Sequence, residues 1–154
     1  MTTVQGSEEW VKQRLGKVTA SVIHKVYSDK LTATKKNLMR SLALERLSGS
    51  RMSNIKTVDM ARGLAIEPLA RKAYEIATQQ KVSLVGFISH PDIKNAGASP
   101  DGLIGEKGFI EIKCLNIRNH NQIIKNKKIS KQYYYQMQFQ LACSQREWGD
   151  FVAY

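Results

Sequence analysis

The segment from Gly102 to Cys114 constrains what this chain can fold into more than any other. Gly102 to Gly105 and Gly108 to Cys114 are rich in β-formers and flank a short polar Glu106-Lys107, a pattern that predicts the two strands of a hairpin. Side chains along a strand alternate between faces, so Glu111 and Lys113 share one face while Ile110, Ile112 and Cys114 share the other. The apolar face requires a core. The other face leaves a carboxylate and an amine side by side over a half-buried surface, a costly arrangement unless something uses it.

Loop length decides whether Asp101 joins them. A three-residue loop, Glu106-Lys107-Gly108 with Gly108 left-handed, pairs Gly105 with Phe109, Leu103 with Glu111 and Asp101 with Lys113. Cross-strand partners point to the same face, so Asp101, Glu111 and Lys113 then converge, with the carboxylates diagonal across the ladder. A two-residue loop at Glu106-Lys107 pairs Asp101 with Ile112 instead and sends the carboxylates to opposite faces. The glycine at the third loop position favours the first register. Two carboxylates a few ångström apart resist joint ionisation unless a cation joins them. Hard oxygen donors with retained waters suit Mg²⁺ or Mn²⁺, and such sites cleave phosphodiesters by stabilising charge on the attacking and leaving oxygens. Lys113 is placed to position or deprotonate the attacking water.

Charge points the same way. Lys and Arg outnumber Asp and Glu by 24 to 13, a formal net charge of +11, which suits a polyanionic partner, nucleic acid first. No apolar run approaches the roughly 20 residues of a membrane span, and Met1 to Glu9 is polar and acidic, unlike a signal peptide. Cys114 and Cys143 lack metal-ligand spacing and are expected as reduced core thiols of a cytosolic protein.

The first half of the chain reads as helical. Ser7 can cap a helix carrying Trp10, Val11 and Leu15 that stops at Gly16, and Thr19 or Ser21 can cap another. A third follows Thr34, with Leu38, Leu42 and Leu47 inward and Gly49 as its stop. A fourth spans about Val58 to Gln80, where Pro68 is expected to interrupt it with a turn or kink. Beyond Lys81, Val82 to Ser89 is rich in β-formers, Asn116 to Lys131 suggests a short helix and a loop, and Trp148 to Tyr154 reads as a last strand. Tyr133 to Cys143 fits a half-buried strand or a helix equally well by period. No repeat or linker divides the chain, so one domain, 1–154, is expected.

Pro100-Asp101 followed by Glu111-Ile112-Lys113 resembles the PD-(D/E)XK nuclease superfamily. Gly6 through Trp10, Arg14-Leu15-Gly16, Thr19-Ala20-Ser21, Gly63 through Glu67 and Tyr135 through Gln138 narrow the likeness to the lambda-exonuclease or YqaJ-like viral recombinase family. The resemblance implies an α/β fold with a restriction-endonuclease-like core, a central mixed sheet flanked by helices. It implies metal held by Asp101, Glu111 and the Ile112 carbonyl, with Lys113 catalytic, Glu67 reaching the metal site through water and Gln136 near the attacking water. It also makes Tyr133 to Cys143 a helix. Arg14 matches an arginine that grips a DNA 5′-phosphate, and Ser21 matches an assisting hydroxyl. Asp92 is the nearest match to a further acidic residue that precedes the Asp101 motif. Lys125, Lys127, Lys128 and Lys131 become candidates for DNA backbone contacts; His24, His90 and His120 are given no role.

The implied activity is Mg²⁺-dependent exonuclease action on linear double-stranded DNA, 5′ to 3′, in viral or prophage recombination within the host cytoplasm. A single-strand annealing protein and a homotrimer are the implied partners. Family members generally continue past the position of Tyr154, so the domain is expected without that C-terminal extension. An endonuclease of the same core, or a DNA-binding or partner-binding module without turnover, are the alternatives.

Overall fold

β5 (Gly102–Ile104) and β6 (Gly108–Lys113) form the expected antiparallel hairpin. In the computed structural model, which describes residues 3–27, 29–51 and 58–154, they are the middle strands of a four-stranded sheet. β2 (Val82–Ser83) runs antiparallel beside β5, and β7 (Trp148–Ala153) runs parallel beside β6. α3 (Val58–Thr78) lays Ala70 and Tyr74 against Ile104, Ile110 and Ile112, with Cys114, Trp148 and Val152 packed around them. The apolar face read from alternation is therefore the core face, where burying each large side chain contributes roughly 1.5–3 kcal/mol. Tyr74 also donates its hydroxyl hydrogen to Asp150 Oδ2 at 2.6 Å.

The hairpin register differs from expectation. Ile104 pairs with Gly108, Leu103 with Phe109 and Gly102 with Ile110, so the loop is Gly105-Glu106-Lys107 and Gly105, at φ +51°, is its left-handed residue. Gly108 serves another purpose. It lies opposite Trp148 in the β6–β7 ladder, and a Cβ there would overlap the indole ring. Arg146 Nη1 closes the turn by donating to the carbonyls of Gly105 (2.8 Å) and Gly108 (2.9 Å).

α3 also departs from expectation, since it continues through Pro68. Proline removes the hydrogen bond to the carbonyl of Leu64, four residues earlier. Leu64 is exposed, so water can solvate that carbonyl, while Ala70 and Tyr74 keep the next turns packed on the sheet.

The chain divides into two compact units. The first comprises Met1–Asn54, Val85–Ser99 and Lys131–Gln145; the second comprises Ile55–Leu84, Pro100–Ser130 and Arg146–Tyr154 and holds the four-stranded sheet. α4 (Ile117–Asn126), in the second unit, begins where Asn116 caps the Asn119 N–H. The first unit has its own mixed sheet, β1 (Val18–Thr19), β4 (Ala96–Ala98) and β3 (Ile88–Ser89), in the order β1-β4-β3. The expected central mixed sheet is thus two smaller mixed sheets flanked by helices.

Within the first unit, Ser7 caps α1 (Glu8–Arg14) by accepting from the Trp10 N–H. Thr19 precedes a 3₁₀ helix, Ala20–Lys25, but its hydroxyl meets Ser21 Oγ at 3.1 Å and caps no helix N–H. α2 (Ala33–Ser48) starts two residues before the expected position, at a Thr32 cap, and ends at left-handed Gly49. Leu47 is 85% exposed and not inward. It lies nine residues after Leu38, which at 100° per residue is the opposite helix face. The ambiguous segment is α5 (Lys131–Ser144), whose Gln136, Met137, Gln140 and Cys143 are buried at helical spacing. Cys143 packs with Ala20, Ala98 and Phe139.

Candidate active site

The second unit gathers three carboxylates and two cations at one place. Continuing the hairpin register by one pair sets Asp101 opposite Glu111, closer than the diagonal expected from sequence. The Asp101 N–H donates to the Ile110 carbonyl (3.1 Å), and Asp101 Oδ2 accepts the Ile112 N–H (2.6 Å). Glu111 is 1% exposed and pairs with Lys113 Nζ. Glu67 reaches the cluster from α3, on the same helix face as Ala70 and Tyr74, and pairs with Arg71 one turn later. Arg71 is a residue that sequence reading missed; the signal was a cation four positions after a motif glutamate.

These side chains are electrostatically crowded. Burial pushes the Asp101 carboxyl well above its usual range, the Glu111 charge pushes it further, and Lys113 only partly offsets them. Burial likewise raises Glu67, opposed by Arg71 and reinforced by Glu111. Cys114 nearby is raised by burial and by the Glu67 charge. Buried carboxylates with this excess of negative charge present hard oxygen donors, a chemistry that fits a divalent cation of the Mg²⁺ or Mn²⁺ class. Among the described residues no group of three or more His, Cys, Asp or Glu side chains is arranged to hold a metal. The Asp101 and Glu111 carboxylates, facing each other across the hairpin, are the donors that could hold such an ion.

The first unit holds a cavity of about 130 Å³ lined in part by Arg14, Lys17, Ser21, Ser41, Glu45 and Arg51. Arg14 stacks its guanidinium on Trp10 at 3.9 Å, and the Trp10 indole N–H donates to Ser99 Oγ at 3.0 Å. Burial, then the charge of Arg51, lowers the Arg14 pKa to about 10. A cation disfavoured in this way is relieved by an anion. Lys17, Glu45 and Arg51 were not singled out in the sequence, because no local spacing joins them to Arg14.

The remaining residues are placed as follows. Gln136 is buried on α5, in the first unit. Lys125 lies in the last turn of α4, Lys127 is its left-handed C-cap, Lys128 follows and Lys131 opens α5; all four are exposed. Asp92 sits in an exposed bend between β3 and β4, its N–H donating to His90 Nδ1 at 3.1 Å. β4 itself is Ala96-Gly97-Ala98 and carries no acidic residue.

Comparison with known proteins gives the following likenesses. Residues 9–147 match the YqaJ-like viral recombinase domain. The alkaline exonuclease LHK-Exo from Laribacter hongkongensis superimposes with a TM-score of 0.90 at 46% identity, covering 96% of this chain and 74% of that one. LHK-Exo in complex with dAMP superimposes equally, at 47% identity, with the same coverage of 96% and 74%. A phage related exonuclease from Haemophilus somnus 129PT shares the fold, with a TM-score of 0.69 at 22% identity over 90% of this chain and 68% of that one. No curated protein sequence matches.

Proposed function

Because the chain belongs to the YqaJ-like viral recombinase family and is a nuclease, we propose that it is a Mg²⁺-dependent exonuclease that degrades linear double-stranded DNA from its 5′ ends. The observation that carries this reading is the register that sets Asp101 opposite Glu111 with Lys113 beside them. A divalent cation bound there would polarise the scissile phosphate and stabilise charge on the attacking and leaving oxygens. Asp101, Glu111 and the Ile112 carbonyl are its proposed ligands, and Mn²⁺ would serve the same donors.

The chain's own groups do the rest. Lys113 Nζ, held by Glu111, is a donor that can orient the attacking water against the phosphate. Glu67, kept in place by Arg71, is proposed to accept a hydrogen bond from water at the metal site. Gln136 is proposed, by resemblance alone, to act near the attacking water. Arg14 and Ser21 are proposed to hold the terminal 5′-phosphate in their cavity, and Arg14's burial beside Arg51 supports an anion as its ligand. The LHK-Exo complex contains dAMP, a mononucleotide of the kind that stepwise removal from a DNA end releases. Lys125, Lys127, Lys128 and Lys131 are proposed to contact the DNA backbone. Asp92 is carried as an auxiliary acidic residue on the sequence match alone.

The family match runs through both compact units, which supports reading 1–154 as one nuclease domain. By resemblance, the setting is viral or prophage recombination in the host cytoplasm, with a single-strand annealing protein and a homotrimer as partners. Among the described residues no helix is long and apolar enough to cross a membrane.

The test compares wild type with Asp101→Ala and Lys113→Ala on end-labelled linear duplex with Mg²⁺, beside a covalently closed plasmid. Wild type should degrade the linear form, leave the plasmid intact and release mononucleotides from 5′ ends. Each variant should lose at least about 10²-fold in rate. Equal digestion by all three would overturn the site, and plasmid cleavage would favour an endonuclease.

A further inference from the structure

Arg14 and Ser21 are joined by a tight turn at residues 15–17 and the short strand β1, and consecutive residues of α2 hold the peptide groups at the centre of the turn. The Gly16 N–H donates to Glu45 Oε2 at 3.0 Å, and Arg46 Nε donates to the Gly16 carbonyl at 2.8 Å. Gly16 is left-handed, at φ +64°, and a Cβ there would overlap the Arg46 stem. The Lys17 N–H returns to the Arg14 carbonyl at 3.2 Å. We propose that Glu45 and Arg46 are positioning residues for the terminal-phosphate pocket. By clamping Gly16 they set the spacing between the Arg14 guanidinium and the Ser21 hydroxyl, and with it the preference for a 5′-phosphorylated end. This rests on the reading of Arg14 and Ser21 given above.

The physical case begins with glycine's freedom. A left-handed glycine populates several backbone states, so an unclamped turn would spread the Arg14–Ser21 distance over a range. The Arg14 side is anchored independently, through Trp10 and Ser99, and Ser21 sits at the start of the 3₁₀ helix beside Thr19. The Gly16 turn is the adjustable element between two anchored ends. Glu45 makes the case distinctive, because its charge has the wrong sign for the cavity it lines with Arg14, Lys17 and Arg51. If charge alone mattered, removing it would strengthen phosphate binding. A carboxylate that repels the proposed ligand and yet accepts the Gly16 N–H is explained by the hydrogen bond.

Geometry and charge therefore predict opposite signs for one substitution. Glu45→Gln retains an oxygen that can accept the Gly16 N–H and removes the repulsion, whereas Glu45→Ala and Arg46→Ala each remove one side of the clamp. The measurement is kcat/KM on linear duplexes ending in 5′-phosphate and in 5′-hydroxyl, with circular dichroism melting to verify folding. Glu45→Gln should keep or raise the phosphate-to-hydroxyl ratio. Glu45→Ala and Arg46→Ala should lower it about tenfold, mostly through KM for the phosphorylated end, as expected for a misaligned charge-assisted contact. A ratio that rises in Glu45→Ala, or equal losses on both ends, overturns the clamp. A wild type that cuts both ends equally overturns the pocket reading itself, and the clamp with it. A preference lost in Arg14→Ala but kept in Glu45→Ala and Arg46→Ala overturns the clamp alone.

Discussion

Replacing Asp101 with Asn should abolish cleavage and make the metal-free protein more stable. Asp101 is a buried carboxyl facing Glu111, with one hydrogen bond from the Ile112 N–H that an amide oxygen can also accept. Directly paired Cβ atoms lie about 5 Å apart, and two negative charges at roughly that distance repel by about 3 kcal/mol at an effective dielectric of about 20. Lys113, itself paired with Glu111, offsets part of this, and the neutral amide accepts a weaker hydrogen bond by about 1 kcal/mol. A net gain of about 1–2 kcal/mol remains, a rise in Tm of about 2–8 °C for a chain of this size. The sign with pH follows from linkage. The folded-state pKa is raised, so the folded protein binds more protons than the unfolded one from about pH 4, the unfolded carboxylate range, up to the raised value. Wild-type stability therefore falls across that window, and the advantage of the variant is complete only above it. The assay is thermal unfolding in EDTA at pH 8 and again near pH 3.5, where the two proteins should converge. Millimolar Mg²⁺ should shrink or reverse the gap, because it binds folded wild type more tightly. An Asp101→Asn protein that melts at or below wild type at pH 8 in EDTA would refute the electrostatic account of the site.

Other expectations concern the frame and the surface. Gly108→Ala should destabilise the fold by about 1–3 kcal/mol in urea denaturation, because its Cβ overlaps Trp148; Trp148→Leu in the same protein should recover part of the loss. Neutralising Lys125, Lys127 and Lys128 together should reduce the slope of log affinity against log salt by up to about 3, since each phosphate contact contributes about 0.9. An unchanged slope would remove them from the DNA path. Burial pushes the Cys143 thiol up to about 12, so at pH 8 a thiol reagent should reach it only after unfolding. Both cysteines of the sequence should then titrate in guanidinium, and prompt labelling of Cys143 in the native protein would contradict its packing against Ala20 and Ala98.

Much of the hairpin could be read from the order of its residues, because alternation is a property of the extended backbone. Ile110 and Ile112 had to face one way and Glu111 and Lys113 the other. Asp101 shares a face with Glu111 whenever the paired residue numbers sum to an even value, so the expected pairing of Gly105 with Phe109 and the observed pairing of Ile104 with Gly108 bring the same carboxylates together. Caps and stops were also legible, as at Ser7 and Gly49, since they depend on neighbours a few residues away. The family motifs carried the helical reading of α5, which periodicity alone left open.

What local order could not decide was which glycine bends the chain. Gly105 and Gly108 were both available, and Trp148, forty positions beyond Gly108, took the second for close packing and left the turn to the first. The same holds for Leu47, turned outward while α2 presents Glu45 and Arg46 to Gly16, and for Pro68, whose helix continues because Ala70 and Tyr74 are held on the sheet. Alternation and capping are settled within a few bonds of each residue, and the sequence states them directly. Register, helix facing and the neighbours of Arg14 depend on side chains that meet only when the chain has folded, and there the competition for space between distant residues made the choice.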